Sequence, residues 1–188
     1  MGSISSVSLP AISTCRPCDC WRKCYAHKIE RLRPTVKNAY QNNLEILRSD
    51  SALYWKEVED AIKLSRFFRF HVSGDIPTRA YFYTMIQIAC RNPHCDILCF
   101  TKRYSFINLY LDSGCTIPQN LHIVFSAWPG LRMDNPHGLP EAHVRFKNGT
   151  TTASEHAKEC SGNCTTCAKT DTGCWTLQNG EQVVFDEH

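Results

Sequence analysis

Phe67-Phe68-Arg69-Phe70-His71-Val72-Ser73-Gly74-Asp75 is the stretch on which the fold of this chain turns. Its first six residues are aromatic and β-prone, and it stops at a Ser-Gly-Asp turn signal. Downstream, Thr78 to Cys90 reads as a helix with Phe82, Ile86 and Ala89 on one face, and Ile97 to Phe100 as a strand. A short helix from about Ser105 to Gly114 and a strand from Leu121 to Phe125 complete a strand–helix–strand–helix–strand order, which builds a parallel sheet with right-handed crossovers. Upstream, Val36, Tyr40, Leu44 and Leu47 form one helical stripe, and Tyr54, Val58, Ala61, Ile62 and Ser65 a second. After a Pro- and Gly-rich loop from Pro129 to Pro140, His143 to Phe146 reads as one more strand. The expected fold is α/β: a partial (β/α) barrel or open parallel sheet with cysteine-rich loops at both ends. Its core covers 1–150, and 151–188 forms a C-terminal lobe packed on it.

Such sheets place functional side chains in the loops at the carboxyl ends of the strands. Here those loops offer Ser73 and Asp75, then Lys102, then Ser126 and Trp128, as candidates for binding a cofactor or small-molecule ligand. The plainer alternative is that Asp75 caps the following helix, Lys102 is solvated and Trp128 packs on the core.

Cysteine is the outlier of the composition, 12 of 188 residues, and it falls into three groups of four. Cys15, Cys18, Cys20 and Cys24 lie in one loop-like segment, and Cys160, Cys164, Cys167 and Cys174 in another. Pro, Gly and Asn around them let several thiolates converge, so both groups read as metal-binding. Neither group gives the two clean C-x2-C knuckles of a zinc ribbon. An iron–sulfur cluster of the 4Fe-4S type, one or two per chain, is therefore expected, with zinc as the alternative. The middle group, Cys90, Cys95, Cys99 and Cys115, belongs to the sheet and its helices and reads as buried thiols. Asn179-Gly180 between Trp175-Thr176-Leu177 and Val183-Val184-Phe185 is a hairpin signal.

The remaining composition is that of a globular protein: 43% hydrophobic and 21% charged, with 21 Lys and Arg against 18 Asp and Glu. No apolar run approaches the roughly 18–20 residues of a membrane span. Met1 to Pro10 has no secretory pattern, which leads to the expectation of a reducing, cytoplasmic setting with no membrane partner. The net charge of +3 is too small to imply nucleic acid by itself. Arg16, Arg22, Lys23, Lys28, Arg31 and Arg33 nevertheless gather near the first cysteine loop, so a zinc-stabilised module for nucleic acid or protein stands as the alternative to a partner that is a small-molecule ligand or a redox protein.

Read together, Cys15, Cys24-Tyr25-Ala26, Arg69 to Asp75, Phe100-Thr101-Lys102, Ser126-Ala127-Trp128, Cys160-Ser161-Gly162-Asn163-Cys164 and Cys174-Trp175 resemble the phage and bacterial gene product 88 family. More distantly, the Cys-Tyr-Ala loop ahead of strands ending in Ser-Gly-Asp and Thr-Lys is similar to radical S-adenosylmethionine-like phage proteins. That resemblance implies a truncated barrel whose cysteine loop follows a short first strand near Ser6 to Leu9, an iron–sulfur cluster, and redox or radical chemistry with S-adenosylmethionine where one iron lacks a cysteine ligand. The chain departs from the radical-enzyme pattern in having fewer strand–helix units than the roughly six of a full barrel, and in its cysteine spacing. Its C-x3-C-x2-C triplet begins at Cys160, whereas the first loop reads C-x2-C-x-C-x3-C.

Overall fold

The computed structural model describes residues 4–187. Its centre is a seven-stranded sheet that does not close, with strand order β1-β2-β3-β4-β5-β7-β6 and every pairing parallel. The strands are β1 (Ser5–Val7), β2 (Phe67–Phe70), β3 (Asp96–Thr101), β4 (Leu121–Ser126), β5 (Glu141–Arg145), β6 (Lys158–Glu159) and β7 (Gln182–Asp186). The helices are α1 (Tyr25–Leu32), α2 (Pro34–Ser49), α3 (Ser51–Lys63), α4 (Arg79–Arg91), α5 (Tyr104–Asp112) and α6 (Cys164–Thr170).

Local chemistry sets the helix starts. Pro34 opens α2, where its missing N–H costs nothing. Asp50 accepts from Leu53 N at 2.9 Å to start α3, and Thr78 accepts from Tyr81 N at 3.1 Å to start α4.

Strand alternation then divides the interior in two. Phe68, Phe70, Ile97, Cys99, Ile123 and Phe125 point to the face covered by α3, α4 and α5. Leu98, Val124, Ala142 and Val183 point to the other face, which is covered by the C-terminal lobe through Ala168, Trp175 and Leu177. On that second face Phe100 of β3 and Phe185 of β7, three strands apart, meet with ring centroids 5.7 Å from each other. The sheet is curled around the lobe.

Three expectations are corrected. Trp175 to Leu177 does not pair with Val183 to Phe185: Trp175 sits in a short 3-10 turn (Gly173–Trp175), and β7 lies between β5 and β6. The Asn179-Gly180 turn does form, with Gly180 at φ +83°. Burial of Trp175 against Phe67 and of Leu177 under the sheet outweighs hairpin pairing, while β5 and β6 satisfy the β7 backbone. The segment from 151 onward therefore supplies strands to the same sheet as well as a lobe on its face. Finally, Cys90 and Cys115 are exposed, whereas Cys95 and Cys99 are buried as expected. Cys90 follows the core-facing Ala89 by one residue, a rotation of about 100° that turns it to solvent. Cys115 lies beyond the core in the turn after Gly114, where Ser113 Oγ donates to its sulfur.

Candidate functional site

Because every strand runs the same way, the loop after β1, which carries the first cysteine group, lies on the same rim as the ends of β2, β3 and β4. Side chains fasten it there. Thr14 Oγ1 donates to Pro10 O at 2.7 Å and accepts from Asp75 N, and Arg103 Nη2 donates to Thr14 O at 2.8 Å. Gly74, at φ +80°, lies so close to the loop that a Cβ would stand 2.6 Å from Thr14 Oγ1 and 2.7 Å from Leu9 O. From α1 the buried Glu30 accepts from Ala11 N at 2.9 Å and from Ser73 Oγ at 2.5 Å. Ser73, a candidate ligand-binding residue, is thus engaged in holding the loop to the end of β2. Tyr25, next to Cys24, donates to Val72 O at 2.5 Å.

Asp75, Lys102 and Ser126 are linked to one another across the ends of the strands. Asp75 accepts from Thr101 Oγ1 at 2.6 Å, from Ile76 N at 2.7 Å and from Lys102 N at 2.9 Å. Burial pushes its carboxyl above the usual range, against the pull of those bonds and of the Lys102 charge. Lys102 Nζ donates to Ser126 Oγ at 2.6 Å. Desolvation lowers its amine, while Asp75, Cys15 and Cys24 favour its charged form. The Cys15 thiol, in turn, is pushed up to about 11 by burial first and by Asp75 second. At the end of β2, His71 is buried at φ +63° against Tyr81, and burial lowers it to about 3, so it is neutral.

The first cysteine loop itself encloses a cavity of about 580 Å³ lined by Cys15, Cys18, Cys20 and Cys24, with Trp128 on its wall. Cys18 and Cys20 are joined as a disulfide, and Cys15 and Cys24 are free thiols. Trp128 is steadied edge-on by Phe146. The basic patch is partly neutralised: Lys23 pairs with Glu187 at 3.0 Å, Arg22 with Asp19 at 3.9 Å, and Arg16 lies over the Tyr104 ring.

The third cysteine group gathers on the concave face. Burial and the neighbouring sulfurs raise the thiols of Cys160 and Cys174, the latter to about 12, so these cysteines act on one another. Ser161 Oγ lies 3.2 Å from Cys167 Sγ, and Gly162 N donates to Cys160 Sγ. A Cβ at Gly173 would stand 2.9 Å from Cys167 Sγ, so only glycine leaves that sulfur its room. Among the described residues no three His, Cys, Asp or Glu side chains stand in a ready-made metal-binding arrangement. The residue types suit a soft metal at both places: two free thiols and, on reduction of the Cys18–Cys20 disulfide, four sulfurs on one cavity, and four free thiols in the other group.

Sequence reasoning missed two supports, Glu30 and the role of Arg69, whose Nη1 donates to Cys164 Sγ at 3.7 Å. Strand alternation held the signal for Arg69, since it lies between two buried phenylalanines and must face the other way. No helix is long and apolar enough to cross a membrane among the described residues.

No curated protein matches this chain, and no solved structure does. A family model, Gene product 88, matches residues 2–129, which spans the first cysteine loop and β1 to β4 and ends just past Trp128, before the third cysteine group. With more than half of its 188 residues matched, the chain belongs to the gene product 88 family.

Proposed function

We propose that the protein binds iron–sulfur clusters of the 4Fe-4S type at two thiolate centres, one at each cysteine-rich end of an open, radical-enzyme-like half-barrel of phage or mobile-element type. What carries the reading is that Cys15, Cys18, Cys20 and Cys24 all line one cavity. The first group would hold the ligand-accessible centre and Cys160, Cys164, Cys167 and Cys174 the enclosed one. Cys18 and Cys20 enter a ligand set only as reduced thiolates. Such clusters supply one-electron transfer. This chain's contribution is to wall the cavity with Trp128, with the cation Lys102 near Cys15 and Cys24 and held by Ser126. S-adenosylmethionine belongs to this reading if three cysteines of the first group bind and one iron is left open.

Anaerobic purification with reductant, followed by iron, sulfide and zinc analysis, tests it. Iron with acid-labile sulfide is expected, and Cys24→Ser and Cys164→Ser should each remove about one centre's share. Zinc without sulfide would replace the reading by the zinc-stabilised module, and a metal-free protein would end both.

A further inference from the structure

Four thiolates around one centre carry more negative charge than the metal they bind removes. In the C-terminal lobe that surplus would lie against Trp175, Leu177, Ala168 and Val183, an apolar surround in which an uncompensated charge is costly. Facing it from β2 is a single fixed cation. Arg69 reaches Cys164 Sγ at 3.7 Å and lays its guanidinium 5.0 Å from the Phe100 ring centroid, which fixes its plane on the concave face.

Resting on the two-centre reading above, we infer that Arg69 is a positioning residue for the C-terminal centre, the counter-cation that lies against its sulfur ligands and sets its affinity and potential. Just beyond the end of the same strand, β2, Val72 O receives the Tyr25 phenol beside Cys24, and the Arg69 charge acts on that phenol too, so one strand supports both cysteine regions.

The test compares Arg69→Met, which keeps the stem that packs on Phe100, with Arg69→Lys, which keeps the charge. Each anaerobically loaded full-length variant is titrated with a chelator, and metal per chain is measured beside wild type and Cys164→Ser. Arg69→Met should lose metal at about tenfold lower chelator, as loss of an outer-shell partner does, and stop at the content of Cys164→Ser. Its iron, if iron is present, should also show a more negative midpoint potential. Arg69→Lys should restore resistance to within about threefold. Wild-type resistance and potential in Arg69→Met overturn the inference while leaving the two-centre reading intact, and so does loss of both centres together, which marks a structural role. A wild-type protein without metal overturns the reading itself and this inference with it.

Discussion

The two cysteine-rich ends bring the same donor atoms to one sheet and are built in opposite ways. The N-terminal loop has almost no apolar support of its own: it is tied to strand ends by Thr14, Arg103 and Glu30, its four sulfurs line an open cavity, and Ile12 and Trp21 stay exposed. The C-terminal group is drawn into a second hydrophobic core, where Cys160, Cys167 and Cys174 pack with buried Trp175 and Leu177. One arrangement lines a cavity; the other sets its half-buried sulfurs against an apolar cluster on the face of the curled sheet. On the two-centre proposal, metal at the first would serve chemistry and at the second folding.

The sharpest break of this contrast is in stability. Removing a ligand from the enclosed centre should loosen α6 and the Trp175 turn and expose the second core, because ligation and folding are coupled there. Cys164→Ser is expected to lower the melting temperature by about 10 °C or more, the shift that about 4 kcal/mol makes at this length. Cys24→Ser should cost about 3 °C or less. Calorimetry under anaerobic conditions reads both, and equal shifts would erase the distinction between the two centres.

A smaller effect tests how the open loop is held. Alanine at Gly74 must bring a Cβ against the backbone of Leu9 and the hydroxyl of Thr14 while keeping a left-handed φ, a cost of about 2–4 kcal/mol. Gly138, at φ +63°, has nothing within 4 Å of the same added atom, so Gly138→Ala should cost about 1 kcal/mol from backbone strain alone. Gly74→Ala should also lower metal content at the first centre and spare the second. Denaturant melts and metal analysis of the two variants check this, and similar behaviour would mean that the Gly74 contact does not position the cysteine loop.

Much of this was legible in the sequence because it depends on period and order. The Phe67 to Asp75 stretch announces a strand and its end, and parallel order brings Asp75, Lys102, Ser126 and Trp128 to one rim with the first cysteines. What escaped depends on contacts between distant segments. Helix α1 has a thin apolar stripe because one of its buried residues is Glu30, a charge whose partners are Ala11 N and Ser73 Oγ. Strand β6 is two residues long and exists through its pairing with β7. The hairpin at Asn179-Gly180 had its turn right and its partner wrong, since local turn chemistry says nothing of the core waiting for Trp175.

The middle cysteines set the baseline against which both ends are measured, and they carry the smallest expected effects. Cys95 and Cys99 are wholly buried, and desolvation pushes the first to about 12 and the second well above its ordinary value, so both stay protonated thiols. Cys90 and Cys115 face solvent. An alkylating reagent at mildly alkaline pH should therefore label Cys90 and Cys115 in the native protein and reach Cys95 and Cys99 only after unfolding, as peptide mapping would show. Cys99→Ala removes a sulfur packed between β2 and β4 on the helix-covered face and should cost about 1–2 kcal/mol, within the range of small core truncations. Cys90→Ala and Cys115→Ala should stay within about 0.5 kcal/mol of wild type. All three should keep full metal content, since none lies with either sulfur group. Loss of metal from Cys99→Ala would move a ligand into the centre of the sheet and remove the contrast between an open end and an enclosed one.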